Sequence, residues 1–381
     1  MVEAIDAQSV KGWKMINRLL FIVCSMSMIT CVAAKHNQIN KVFYHKGNEQ
    51  SVHVELAKIA LYFTHKPQVR VDNTQAMQGI QKLVFHFEDT YIDNQLLRKL
   101  IQNNAIGYNI QAQQNKKGVD ITVSYKPSVV AISYDTFQSI SMQPGLVIHF
   151  FNQAVLDTLN KVERPILQTT SLNVGKKKVV IDVGHGGTDT GTCCFGLKEK
   201  DVTLTIGKKL AQLLRKQGIS VVMTRITDCT SQLDERTTLA NATDAQLLVS
   251  IHANYASNEA VEGIETFCIQ PYLLQPQQIF FDSANALLIQ NIFLTRYNAS
   301  HQLAQLVHKN VINTVSKQVP IHDRSIKYAV PQVLLGAHMP AILVEVGFLS
   351  NKKESMRLKN NMYTQQLAQG LCKGICDYLH G

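Results

Sequence analysis

Two patterns of apolar residues divide the chain. From about Lys41 to Asn152, apolar and polar residues alternate in short bursts such as QKLVFHFED (81–89), VDITVSYKP (119–127) and GLVIHFFNQ (145–153). A period of two, broken by turn residues, predicts a small, mainly β, largely antiparallel domain. Helical pieces such as DNQLLRKLIQNN (93–104) interrupt it. From Val179 onward, continuous apolar runs take over: VVIDV, ISVVMT, QLLVSI and AILVEV alternate with helical stretches such as VTLTIGKKLAQLLRKQG (202–218). Strands that are apolar throughout are covered on both faces. The pattern therefore predicts an α/β domain with a mostly parallel twisted sheet flanked by helices.

The expected division is a β-domain over 35–153, a connector over 154–175 ending in the polar QTTSLNVG, and a second domain over 176–381. Residues 1–34 have the layout of a secretory signal peptide. Lys11, Lys14 and Arg18 precede the apolar run Leu19–Thr30, and the small residues Ala33 and Ala34 follow. Met15 would make a tighter start, and a retained membrane anchor is the competing reading. Six cysteines lie beyond this segment: Cys193, Cys194, Cys229, Cys268, Cys372 and Cys376. An even number in an exported chain allows disulfides without demanding them. The formal net charge of +10 favours an anionic partner or surface. No basic arm or RNA-binding aromatic motif stands out, so nucleic acid is not an expected partner.

In open α/β sheets, ligands bind beyond the carboxyl ends of the strands. His185 follows VVIDVG, His252 follows LLVSI and Glu345 follows AILV, while Glu199 falls between the first strand and the first helix. A parallel sheet would bring all four to one edge. A lone histidine at a strand end is usually a satisfied polar residue. Two imidazoles and a carboxylate together, however, suit Zn²⁺ with a fourth position left for water, the arrangement of a catalytic zinc. The remaining carboxylate could move the proton. His45, His65, His86 and His149 read as structural, and His322 and His338 stay open.

The segments VVIDVGHGGTDTG, GLKEKDVTLTIGKKLAQLLRKQGISVVMTR, SQLDERTTLANATDAQLLVSIHAN, VEGIETF, DRSIKYAVPQVL and PAILVEVGFLSN follow one another in order. In this succession, Val179 to about Leu358 resembles the zinc-dependent N-acetylmuramoyl-L-alanine amidase family of cell-wall hydrolases. The resemblance implies that His185, Glu199 and His252 bind Zn²⁺ and that Glu345 is the catalytic carboxylate. It further implies peptidoglycan as substrate, cut between N-acetylmuramic acid and L-alanine. The 35–153 domain is similar in position and patterning to the AMIN domains of such enzymes, which implies targeting to the wall and a periplasmic location. Arg324 and Asn254 are candidate substrate contacts. Arg225 with Asp228, and Asp234 with Arg236, are expected to orient loops.

Two departures from the family stand out. Cys193 and Cys194 occupy the loop between the first two ligands. The 269–299 segment corresponds in place to an inserted helix that covers the zinc in some division amidases until an activator displaces it. Here Asp282 could cap the metal, with an activator protein as partner; an ordinary surface helix is the alternative. The rival functions are a zinc peptidase acting within the stem peptide and a non-catalytic peptidoglycan-binding protein.

Overall fold

The computed structural model describes residues 37–46, 55–75, 79–102, 107–139, 143–160, 177–269, 275–279 and 283–381. The expected signal peptide, residues 161–175 of the expected connector and Asp282 lie outside the described residues, and the start of that connector, 154–160, belongs to a helix.

The N-terminal half runs β1 (Asn37–Lys46), β2 (Glu55–Phe63), β3 (Val69–Gln75), β4 (Gln81–Glu88), β5 (Thr90–Ile92), α1 (Asn94–Ile101), β6 (Tyr108–Asn115), β7 (Gly118–Tyr125), β8 (Val130–Gln138), β9 (Pro144–Asn152) and α2 (Gln153–Asn160). It is a sandwich. One sheet has the order β3-β4-β7-β6. The other has β8-β9-β2-β1-β5, with a further strand beside β8. Alternate residues such as Ile59, Leu61, Phe85, Val123 and Ile148 fill the core between the sheets. In β7 the outward residues Asp120, Thr122 and Ser124 are polar, as a period of two requires, and in β4 Val84 is the one apolar residue among Lys82, His86 and Glu88 on the outward side.

The C-terminal half runs β10 (Lys178–Val183), the short pair β11 (Cys193–Cys194) and β12 (Leu197–Lys198), α3 (Glu199–Lys216), β13 (Ser220–Met223), α4 (Leu233–Asn241), β14 (Leu247–Asn254), β15 (Ile264–Cys268), β16 (Gln275–Ile279), α5 (Ser283–Val315), β17 (Asp323–Tyr328), α6 (Gln332–Gly336), β18 (Ala341–Phe348), α7 (Lys352–Lys359) and α8 (Asn361–His380). Its main sheet has the order β13-β10-β14-β18-β15-β17. The neighbours are parallel except β15 and β18, which are antiparallel. On one face Val179, Ile181, Val249 and Val344 pack against α3, α5 and α8 through Ile206, Leu210, Leu303, Val307, Leu367 and Leu371. Gly370 and Gly374 let α8 approach α5 closely: a Cβ on either would lie 2.7 or 2.4 Å from the Cα of Val311 or Val307.

The opposite face is not covered by helices alone. Val180, Leu248, Phe267 and Leu343 share one core with α4, with α6 and with Ala60, Tyr62, Phe137 and Val147 of the N-terminal half. In addition, β16 pairs antiparallel with β8 and extends the N-terminal sheet. The first part of α5 follows the same direction, with the Phe293 ring tilted against His149 and edge-on to Phe151 at 5.0 and 5.9 Å between ring centroids.

A buried cluster of charge lies along this contact. Lys58 is fully buried, and its Nζ donates to Leu335 O at 2.7 Å and sits 3.0 Å from Glu55 Oε2. Arg296 on α5 reaches the same oxygen at 3.1 Å, and His149 Nδ1 lies 2.5 Å from Glu55 Oε1. His149 Nε2 is 3.1 Å from Asp135 Oδ2. His338, left open by the sequence, belongs here too, 3.7 Å from Glu55. Burial would raise the Glu55 pKa, but Lys58, His149 and Arg296 together hold it well below the usual carboxylate range.

Candidate metal and catalytic site

The site forms at the carboxyl ends of β10, β14 and β18. Beyond β10 the chain turns through His185 and three glycines. His185 has φ of 59°, in the left-handed region that a non-glycine residue occupies only under constraint. Three contacts hold it there. Arg236 donates to its carbonyl at 2.7 Å, Gly186 and Asp189 exchange backbone hydrogen bonds, and Asp189 Oδ2 lies 2.8 Å from His185 Nδ1. Gly184 has to be a glycine, because a Cβ there would stand 2.5 Å from the His252 ring.

Glu199 is the first residue of α3 rather than part of a loop. Its place at the helix N-terminus suits a carboxylate. Oε1 accepts from Ala253 N at 3.0 Å and Oε2 from Thr192 N at 2.9 Å. His185 Nε2 and His252 Nδ1 lie 3.1 and 3.0 Å from Oε1. One donor atom from each of His185, Glu199 and His252 thus falls within 4.8 Å of the others. Burial would raise the Glu199 pKa, but the hydrogen bonds to both imidazoles hold it far below the usual value. Burial would lower the His185 pKa, and its contacts with Glu199 and Asp189 raise it instead. Two nitrogens and one oxygen form a donor set that fits Zn²⁺. Asp189 on the far ring nitrogen of His185 fixes which nitrogen points inward.

Glu345 stands on β18, in register with His252 on β14. Its Oε2 is sealed from solvent and has no hydrogen-bond partner among the described residues. Burial first, then the neighbouring carboxylates Glu199 and Glu265, push its pKa well up. The four residues that strand-end placement selected therefore come together, although they span 161 positions of the chain (185 to 345).

Other expected pairings differ. Arg225 does not bond Asp228: its guanidinium donates to the carbonyls of Val183, Gly184, Lys200 and Thr227 and ties β10 to α3. Asp228 instead binds Lys200. Arg236 pairs with buried Asp182 at 2.9 Å, and Asp234 faces Lys99 of the N-terminal half at 3.7 Å. A buried guanidinium is best satisfied by several carbonyls or a buried carboxylate, and residues close in sequence could not show which acceptors would be near. Asn254 donates to Glu265 at 2.6 Å, and Arg324 donates to the same carboxylate at 2.8 Å. Asn351 caps α7 by accepting from Lys353 N and Glu354 N. Asp189 and Glu265 were missed. The GHGGTDTG spacing, with an acid four residues after His185, was the available signal for the first. Cys193 and Cys194 are free thiols on the β11–β12 hairpin, as are the other four described cysteines. The described parts of 269–299 lie with the N-terminal half through β16 and Phe293, and His322 is exposed.

Comparison with known proteins agrees with this geometry. A family model described as N-acetylmuramoyl-L-alanine amidase (Amidase_3) matches residues 179–377. The chain is 30% identical over 237 residues to N-acetylmuramoyl-L-alanine amidase AmiA of Escherichia coli, covering 54% of this chain and 77% of that protein. It is 31% identical over 205 residues to the endolysin of Bacillus phage SPP1, covering 54% of this chain and 66% of the endolysin. A solved structure of an N-acetylmuramoyl-L-alanine amidase from Clostridium difficile 630 is 35% identical, with a TM-score of 0.45, covering 54% of this chain and 98% of that one. With a match over more than half its length that includes all four residues of the site, the chain belongs to the N-acetylmuramoyl-L-alanine amidase family.

Proposed function

We propose that the protein hydrolyses the amide between the lactyl group of N-acetylmuramic acid and L-alanine in peptidoglycan, as a zinc-dependent enzyme. The observation that carries this is the meeting of His185, Glu199 and His252 within 4.8 Å, beside Glu345, whose Oε2 has no hydrogen-bond partner among the described residues. When bound, zinc would polarise the amide carbonyl and lower the pKa of the attacking water. His185 and His252 would offer Nε2 and Nδ1 to it, and Glu199 would offer Oε1. Asp189 keeps His185 in the right tautomer. Glu345 takes the water proton on its carboxylate and delivers it to the leaving nitrogen of alanine.

The open strand edge suits a glycan carrying a peptide branch. The N-terminal β-domain reads as the AMIN-like targeting part, and the leader over 1–34 as an export signal that would place the enzyme in the periplasm. Among the described residues, no helix is long and apolar enough to cross a membrane. An activator acting at 269–299 would act on the contact between the two halves, through β16.

The test is digestion of purified sacculi, with chelation and zinc add-back. Whole stem peptides with a free alanine amine, released only when zinc is present, are expected. Cleavage confined to bonds within the stem peptide would sink the amidase reading.

A further inference from the structure

Next to the metal triad lies a second charged group that the chemistry above does not use. In the sheet, His252, Glu345 and Glu265 sit side by side on β14, β18 and β15. Glu265 is almost fully buried and gathers three donors: Asn254 Nδ2 at 2.6 Å, Arg324 Nε at 2.8 Å, and Lys327 Nζ. One carboxylate thus holds two permanent cations. Arg324 spends only Nε on Glu265, and its two terminal nitrogens have no hydrogen-bond partner among the described residues. The Arg324 and Lys327 side chains stay 26% and 38% exposed, so both remain reachable from the groove.

The backbone is shaped around this pair. Gly263, with φ of 121°, makes room for the arginine stem: a Cβ there would lie 2.8 Å from Arg324 Cγ. Ser325 has φ of 65°, at the point where the β15–β17 register shifts. A non-glycine residue persists in that conformation only where its surroundings enforce it, and Asp323 does so by accepting from Ser325 N at 2.7 Å. The guanidinium then lies over the Phe348 ring at 5.0 Å, which returns it from the edge strand toward β18.

The direction of the reaction says what this pair faces. The metal ligands lie on the β10–β14 side. Glu345 delivers its proton to the leaving nitrogen, so the peptide leaves on the β18 side, toward β15 and β17. Strands are spaced about 4.8 Å apart, so β17 lies roughly 10 Å beyond β18 before Arg324 leans back. An extended peptide covers about 3.5 Å per residue, which puts the second residue of the stem within reach of Arg324. A planar guanidinium with a free outer edge, backed by an ammonium, matches a carboxylate.

We infer that Arg324 and Lys327, held by Glu265, form a subsite for a free carboxylate on the second residue of the stem peptide, and that this subsite makes the enzyme prefer an acidic stem. The inference rests on the amidase reading and adds a specificity to it. The test uses the full-length zinc-loaded protein and two muramoyl tripeptides, alike except that the α-carboxyl of the second residue is free in one and amidated in the other. Wild type is expected to favour the acid in kcat/KM by roughly ten- to a hundredfold. Arg324→Gln should bring the ratio close to one. Lys327→Gln, which leaves Glu265 its arginine and asparagine partners and so guards against misfolding, should lower the ratio by a smaller factor. A ratio of one in wild type, or a ratio unchanged in both variants, overturns the inference. If wild type cut neither tripeptide at the muramoyl–alanine bond, the amidase reading would itself fall and take this inference with it.

Discussion

Two buried clusters of charge in this molecule use the same residue types to opposite ends. The cluster between the halves centres on Glu55 and includes one permanent cation, Arg296, and Lys58, whose pKa burial and the neighbouring Arg296 push down to about 7, with carbonyls of the α6 turn taking up further hydrogens. Its central carboxylate has a partner on each oxygen without any ligand. The cluster at the strand ends centres on Glu199 and includes Glu345 and Asp189, but only imidazoles stand opposite them. It lacks a permanent cation of its own and contains an unpartnered carboxyl oxygen. Buried carboxylates need a partner in either place. Where the chain supplies the cation the cluster acts as a fastening, and where it does not, a metal ion is the natural complement.

This contrast is open to direct attack. The largest effect should come from Glu345→Gln, which removes the proposed proton carrier and should lower kcat by about 10²–10⁴-fold while metal content, measured by elemental analysis, stays the same. Glu55→Gln should leave the catalytic residues in place but strand Lys58 and Arg296 without their carboxylate. A loss of about 3–5 kcal/mol in unfolding free energy, read by denaturant titration, is expected. Asp189→Ala should weaken metal binding by about 10–100-fold, seen in competition with a chelator.

Two smaller effects test the sign of the electrostatics. In metal-free protein at neutral pH, Glu345→Gln should raise Tm, because burial holds the Glu345 pKa above its unfolded value and the ionised form therefore costs stability. The Glu55 pKa is depressed, so its stabilisation is fully present above the unfolded value of 4.5 and is lost as pH falls through the folded value. The stability gap between wild type and Glu55→Gln should therefore narrow below about pH 4.5. A gap that widened with acid would mean that Glu55 is not the ionised centre of the fastening.

Much of the C-terminal half was legible because its signals are local. Continuous apolar strands, three of them leading into a His or Glu, combine with the rule that parallel strands share a carboxyl edge. His185, His252 and Glu345 follow from that, and Glu199 from its place between the first strand and the first helix, although it proves to be the first residue of that helix rather than part of a loop. The contact between the halves was less legible, though a sign of it was present. IALYF (59–63) and LVIHFF (146–151) are nearly continuous apolar runs, and β2 and β9 are buried on both faces. A period of two predicts only a small, largely antiparallel β-domain and says nothing of what covers the second face of these strands. The partners of Arg225 and Arg236 were not legible either, because a guanidinium can be satisfied by any carbonyl the fold brings near.

The sequence by itself determined which residues stand at the strand ends as candidates for the chemistry, because strand-end position and residue type are set one segment at a time. Only the tertiary structure decided that the second face of the catalytic sheet is closed by the N-terminal half. It likewise decided that Glu55 of one half is neutralised by Arg296 of the other, and that Glu265 holds two cations beside Glu345. Those outcomes depend on the distances between elements far apart in the chain. A charge leaves no trace in its own neighbourhood of which partner will balance it.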